Sequence, residues 1–193
     1  MKPIMERTNT LFVIVDIQER LAPSMATELW EKHLDRITFV QKVASLLKIP
    51  TILTEQYPKG LGQTLEQVAS TQPSAYQERI EKTQFSCLRN PDFHQRLMEK
   101  TKPMDKPWVV LAGIETHVCV LQTALDLLHE GFSVAVLEDG TCSRSVNNHW
   151  NGLIRMANDG VTVTNSESLV FEWLRDAKDP NFRQVSALLK ELG

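Results

Sequence analysis

The sequence predicts an α/β protein: a three-layer α/β/α sandwich around a mostly parallel sheet of five or six strands. Three observations carry this. Short apolar runs alternate with longer helical patterns along the whole chain, the arrangement that βαβ units produce. The runs around Phe12, Val110 and Val136 are apolar on both faces, as strands covered by helices above and below require. At 193 residues the chain suits one domain with a sizeable core.

The elements follow in order. Residues 10–17 form the first strand, which ends in Asp16, with Gln18 just beyond. A carboxylate at the carboxyl end of a buried strand is costly unless paired or solvated. That edge is also where α/β sheets open their active crevice, although a loop or helix-capping Asp would look the same. Residues 29–47 form a long helix, with Trp30, Leu34, Ile37, Val40, Val43, Ala44 and Leu47 at spacings of three and four. Residues 49–54 are a second strand, with Pro50 near its start. The Pro- and Gly-bearing segment 55–62 reads as a loop beyond that strand, so Gln56 and Tyr57 are candidates to touch substrate. A plain surface loop would read no differently.

Residues 79–87 are locally extended and carry Lys82; Phe85 and Cys87 are expected to pack. Lys82 alone is indistinguishable from a solvated surface lysine. Residues 90–100 read as a helix with Pro91 at its start and Phe93, Leu97 and Met98 inward. Residues 109–112 are a strand, 113–116 a turn, and from His117 the pattern is helical through Val120, Leu121, Ala124, Leu125 and Leu128. Residues 132–137 are the next strand, followed by a loop over 138–145. A helix over 148–159 ends at Gly160, and 161–164 is a short last strand. A helix over 166–175 and, beyond Pro180, a small amphipathic helix over 182–192 complete the chain. Residues 8–176 read as the domain and 177–193 as a helical extension that packs on it or on a neighbouring subunit.

Composition narrows the partners. Lys and Arg number 21 and Asp and Glu 24, a net charge of −3, which advertises neither a nucleic-acid nor an anionic-membrane partner. The longest apolar runs are far too short to span a membrane, and no secretory signal is visible. Three cysteines without paired spacing fit a reducing, cytoplasmic setting rather than a disulfide scaffold. No CxxC or HxxxH spacing marks a zinc site. No GxGxxG or Walker sequence marks a nucleotide. No metal and no cofactor is therefore expected, and the partner left is a small-molecule substrate.

The strand–turn–helix unit around Cys119 carries the chemistry. Cys119 is expected in the first turn of a helix that starts at the carboxyl end of a strand. Free N–H groups and the positive end of the helix dipole meet there and favour a thiolate. A small hydrophobe at a helix start is the alternative. Asp16, Lys82 and Cys119 together make chemical sense. A cysteine attacking a carbonyl must lose its proton, a nearby carboxylate can take it, and a lysine between them stabilises developing negative charge. Backbone N–H groups over 115–119 are candidates for an oxyanion hole.

These motifs resemble the isochorismatase-like cysteine hydrolase superfamily, and in particular its isochorismatase-domain-containing branch. The matching segments are Val15-Asp-Ile-Gln18, Glu81-Lys-Thr-Gln-Phe-Ser86 and Gly113-Ile-Glu-Thr-His-Val-Cys-Val120. The branch is suggested by 54–62 and 173–178, and the likeness runs over about 8–176. The resemblance implies a Rossmann-like parallel sheet and an Asp16–Lys82–Cys119 triad, with Asp16 the proton carrier, Lys82 its electrostatic partner and Cys119 the nucleophile. It also implies a non-proline cis peptide at Ile114–Glu115, just before Thr116, and a homo-oligomer such as a dimer or tetramer. Nicotinamidases of the superfamily carry a metal-binding Asp-x-His segment where this chain has Glu55-Gln-Tyr-Pro58, which argues against that metal and that activity here. Isochorismatases proper lack the cysteine, so Cys119 favours hydrolysis of an amide-type C–N bond. Gln18, Gln56, Tyr57, Phe85 and Trp150 are candidate pocket residues. Two other readings remain: a catalytically silent interaction protein that keeps the triad, and a redox-sensing thiol resolved by Cys87 or Cys142.

Overall fold

The computed structural model describes residues 3–70 and 77–192. Among these, six strands form one all-parallel sheet: β1 Thr10–Val15, β2 Thr51–Gln56, β3 Gln77–Lys82, β4 Trp108–Ile114, β5 Ser133–Cys142 and β6 Thr162–Thr164. Their spatial order is β3-β2-β1-β4-β5-β6. The chain runs outward from β1 in one direction and outward from β4 in the other. The crevice between the carboxyl ends of β1 and β4 is therefore the switch point at which such sheets place ligands.

The helices are α1 Thr27–Leu46, α2 Pro58–Leu61, α3 Glu66–Ala69, α4 Pro91–Thr101, α5 Leu121–His129, α6 Val146–Asn158, α7 Ser166–Leu174 and α8 Phe182–Lys190. Strand period two divides the apolar residues between two cores. Phe12 and Ile14 of β1 and Val110, Ala112 and Ile114 of β4 face the core shared with α1, α7 and α8. Leu11, Val13, Val15, Val109 and Leu111 face the core shared with α4, α5 and α6. A sheet buried on both faces explains why these strands are apolar throughout. In α8, Val185 is buried in the first core, with Phe182, Leu188 and Leu189 packed on it.

Several boundaries differ from the sequence reading, each for a local reason. β2 runs on through Glu55 and Gln56 because both pair with β3, opposite Glu81 and Lys82. The segment read as a 55–62 loop thus begins as strand and then turns through α2. β5 runs on to Cys142, through the first part of the segment read as a 138–145 loop. A register shift between Leu111 and Gly113 of β4 lets Thr141 pair with Gly113 and Cys142 with Ile114. Asp139 is tolerated there because its carboxylate accepts from the Ser166 N–H at 2.9 Å and from the Ser166 hydroxyl at 2.6 Å. α6 begins two residues early, capped by Ser145, whose Oγ accepts from Asn148 N. Met98 is exposed, since Leu97 beside it already takes the inward direction of α4. Phe85 was expected to pack and is 55% exposed, whereas Cys87 is fully buried.

One glycine fixes the switch point. Gly113 has φ +119°, and a Cβ there would stand 2.1 Å from Val15 O and 2.6 Å from Val15 N. Only a residue without a side chain lets β4 approach β1 at the crevice. Gly131 also has positive φ, +87°, but faces open space. Gly131→Ala should therefore cost about 1–2 kcal/mol, the left-handed backbone penalty alone. Gly113→Ala should cost about 4 kcal/mol or more, by adding a backbone clash. Urea denaturation midpoints of the two variants would check the order.

Candidate active site

Strand register assembles the site. Asp16 N donates to Thr54 O at 3.1 Å, which sets Asp16, just past the end of β1, beside Thr54 in the carboxyl half of β2. Gln56 and Lys82 are partners across β2 and β3. Asp16 leaves β1 with φ +54°, a left-handed conformation that Asp tolerates better than most residues. These placements put a carboxylate, an ammonium, a hydroxyl and an amide on one buried edge.

Asp16 and Lys82 make a buried ion pair. Lys82 Nζ lies 2.6 Å from Asp16 Oδ2, with both side chains fully buried. Such a pair persists only when the remaining donors and acceptors are satisfied, and here they are. Lys82 Nζ also donates to Gln56 Oε1 at 2.6 Å and, more weakly, to the carbonyls of Gln84 at 3.2 Å and Phe85 at 3.4 Å. An ammonium has three hydrogens, so Lys82 keeps none for a substrate oxygen. It acts as a fixed charge. Burial works against that charge, but Cys87, Asp16 and then Cys119 together raise the Lys82 pKa. Because Cys87 is uncharged at neutral pH, the Asp16 carboxylate is the operative counter-charge.

Asp16 is held at its other oxygen too. Thr54 Oγ1 donates to Oδ1 at 2.7 Å, and the Cys119 thiol is near enough to the same carboxylate for it to raise the thiol's pKa. The three residues singled out in sequence thus meet around Asp16.

Cys119 does not sit in the first turn of an α-helix. Residues Thr116–Val120 form a π-helical turn, and α5 begins only at Leu121. The turn follows a cis peptide at Ile114–Glu115. Behind it, α6 packs so closely that a Cβ on Gly152 would stand 3.1 Å from Thr116 O and 3.1 Å from His117 Cα. The amides of Val118 and Val120 both donate to Glu115 O, at 3.0 and 3.2 Å. Val118 is thereby taken out of the amides over 115–119 read as an oxyanion hole, and the Cys119 amide lies between the two engaged ones. The resting thiolate expected from the helix dipole is overturned as well. Burial first, and then the Asp16 carboxylate, push the Cys119 thiol well above its ordinary range, with Lys82 opposing only in part. The sulfur therefore rests protonated against a carboxylate.

The other candidates divide. Gln56 reaches the site, but as a partner of Lys82, and its Nε2 donates to Thr83 O. Gln18, read as a pocket residue, is fully buried and fully engaged: Nε2 donates to Gln56 O and Gly62 O, and Oε1 accepts from Gln56 N. It anchors the 56–62 segment instead of facing substrate. Tyr57 and Phe85 are each 55% exposed. Tyr57 and the Lys82 segment line a 370 Å³ cavity, and Phe85 lines a separate one with Arg89 and Leu125. Trp150 is half-exposed on α6, edge-on to His149.

Glu115 is nearly buried, and burial opposes its charge, yet bonds from Arg144 hold its carboxyl below the ordinary range. Arg144 Nη2 donates at 2.5 Å and its backbone N–H at 2.9 Å. The pair ties the cis-peptide segment to the end of β5. Glu55 accepts from the Thr64 N–H and hydroxyl. Among the described residues no group of three or more His, Cys, Asp or Glu side chains is placed to hold a metal ion, and no helix is long and apolar enough to cross a membrane.

The sequence reading missed Thr54, Cys87 as a neighbour of the site, and His149. Cys87 Sγ donates to Thr54 Oγ1 at 3.7 Å, and burial pushes its thiol up to about 11. His149 Nδ1 lies 3.0 Å from Thr116 Oγ1. Burial, and then His33, push His149 down to about 4, so it supports the turn as a neutral ring. A threonine in a strand and a histidine in a helix carry no spacing signal; only strand register and helix packing bring them here.

The chain is similar to known proteins over nearly its whole length. The isochorismatase domain model matches residues 10–168. Isochorismatase family protein 1B of Dictyostelium discoideum is 35% identical, over 97% of this chain and 89% of that protein. Among solved structures, a MAR1 ribonuclease from Caenorhabditis elegans superposes with a TM-score of 0.88 at 31% identity, over 97% of this chain and 93% of that one. The octameric hydrolase YcaC of Escherichia coli, at 21% identity and TM-score 0.83 over the full length of both chains, shares the fold. With the family model spanning most of the chain and the parallel sheet common to both structures, this protein belongs to the isochorismatase domain family, whose fold is that of the isochorismatase-like hydrolases.

Proposed function

We propose that the protein hydrolyses an amide-type C–N bond of a small molecule through an acyl-enzyme on Cys119. The observation that carries this reading is the Asp16 carboxylate, whose Oδ2 lies 2.6 Å from a fully buried Lys82 ammonium and whose charge is near enough to Cys119 to raise its thiol. The chemistry follows from those contacts. As sulfur attacks the carbonyl carbon, its proton passes to Asp16 and the carbonyl oxygen becomes an oxyanion, received by the Cys119 amide. The tetrahedral intermediate collapses, the C–N bond breaks, and Asp16 returns the proton to the leaving amine. Water then attacks the thioester, Asp16 takes its proton, and the sulfur leaves and is reprotonated. Lys82 keeps Asp16 charged and oriented between steps.

The raised Cys119 pKa makes this a general-base mechanism, not one that starts from a preformed thiolate. Such a cycle needs Asp16 in both protonation states, which a silent interaction protein would not. The MAR1 neighbour is called a ribonuclease. A net charge of −3 gives this chain no excess of cations for a phosphate backbone, so a small neutral or modestly polar amide is the better fit. A homo-oligomer is in keeping with the octameric fold neighbour. A cytoplasmic setting is in keeping with three buried, free thiols.

Two measurements test the reading. In a panel of small amides followed by ammonia or amine release, wild type should turn over at least one, while Cys119→Ala and Asp16→Asn each lose about 100-fold or more. RNA degradation by wild type above the Cys119→Ala background, with no amide turned over, would favour the ribonuclease reading. The second measurement is the rate of Cys119 alkylation against pH, read by intact mass. The wild-type thiol should titrate above the free-cysteine value of about 8.5. In Asp16→Asn the neighbouring negative charge is gone and Lys82 remains, so the apparent pKa should fall by about one unit or more. Asp16→Asn would thus have a more reactive thiol and lower turnover. An unshifted profile would overturn the Asp16 assignment.

A further inference from the structure

Asp16 must hold a proton in one half of the proposed cycle and lose it in the other, inside a site that admits little rearrangement. Its two oxygens face different partners. Oδ2 faces Lys82, an ammonium that can only donate. Oδ1 faces Thr54 Oγ1 at 2.7 Å, and Thr54 Oγ1 in turn faces Cys87 Sγ at 3.7 Å. A carboxylic O–H oxygen is a poor acceptor for an ammonium, so the neutral form of Asp16 keeps its proton on Oδ1. There it meets a hydroxyl and, beyond that, a thiol. Each of these can donate or accept.

We propose that Thr54, backed by Cys87, is the positioning residue that lets Asp16 change protonation state in place. With Asp16 ionised, the Cys87 S–H donates to Thr54 and the Thr54 O–H donates to Oδ1. With Asp16 neutral, the Oδ1 proton is donated to Thr54 Oγ1 and the Thr54 O–H turns to Cys87 Sγ. Within the chain of groups only the Thr54 and Cys87 hydrogens rotate; the one proton that enters comes from Cys119, rests on Asp16 and leaves again to the departing amine. The surroundings fit this role. Thr54 and Cys87 are both buried, and the backbone on either side is fixed: Thr54 O accepts from Asp16 N, and Cys87 N donates to Thr123 Oγ1 at 2.9 Å. The 3.7 Å sulfur contact lies within hydrogen-bond reach for a thiol. Burial keeps Cys87 protonated at neutral pH, so it serves as a neutral switchable partner and not as a second nucleophile.

The inference rests on the reading that Asp16 carries the Cys119 proton, and the test separates the two. It uses the pH profile of Cys119 alkylation in the full chain, with iodoacetamide as probe, peptide mapping to assign the adduct, and thermal unfolding as a check on folding. Thr54→Val removes the donor that stabilises the Asp16 carboxylate. The Asp16–Cys119 pair then holds its shared proton more tightly, and the profile should move up by about one pH unit. That is the direction opposite to Asp16→Asn. Thr54→Ser keeps the hydroxyl and should restore most of the wild-type profile. Should Thr54→Val not fold, Cys87→Ala carries the test: Thr54 stays in place and the profile moves up by a smaller amount. An upward shift with serine rescue supports the proposal. Unshifted profiles in Thr54→Val and Cys87→Ala, beside a shifted Asp16→Asn, would overturn it and leave the role of Asp16 intact. An unshifted Asp16→Asn would overturn both. A merely structural Thr54 would change the unfolding temperature without moving the profile.

Discussion

The buried Asp16–Lys82 ion pair is the constraint on which the site depends. Two opposite charges removed from water are tolerated only with close contact and nearly complete hydrogen bonding. The surrounding polar residues meet that demand. Gln56 and the Gln84 and Phe85 carbonyls complete Lys82, and Thr54 and Cys119 complete Asp16. Gln18 fixes the backbone of Gln56, and so reaches the ion pair at one remove. The pair also couples distant parts of the chain, since Asp16 follows β1, Lys82 ends β3 and Cys119 follows β4. Their meeting requires the strand order and register of the whole sheet.

The same pair sets the chemistry. A lone lysine near a cysteine would lower its pKa and produce a resting thiolate. Here the lysine is neutralised by a carboxylate that also raises the thiol, so the resting proton stays on Cys119. In the proposed cycle this arrangement trades a standing nucleophile for an acid–base partner available in both halves. The close packing of α6 at Gly152, the neutral His149 against Thr116 and the Glu115–Arg144 pair all brace the turn that carries the sulfur.

Much of the fold was legible in the sequence because burial on two faces leaves a strong mark. Strands such as 10–15 and 108–114 cannot be apolar throughout unless helices cover both sides. That Asp16, Lys82 and Cys119 would come together was legible as three motifs at strand ends. The rest was not, for physical reasons. Glu138-Asp139-Gly140 has the composition of a turn, yet β5 runs through it because β4 shifts register and Ser166 takes up the Asp139 carboxylate. Gln18 and Gln56 looked like substrate contacts, and only the structure shows their amides held by backbone and by Lys82. Thr54 looked like any strand threonine. The ionisation of Cys119 was read from one helix end, whereas burial and the opposing carboxylate decide it.

A covalent bond between Cys119 and an acyl group can be caught by rapid-quench intact-mass analysis with a small activated ester. Acyl transfer to Cys119 should give a single adduct, mapped to that residue, labile to hydroxylamine and lost with time as water completes the cycle. The adduct should be absent in Cys119→Ala. Ester turnover without any adduct, or an adduct that survives in Cys119→Ala, would contradict the account.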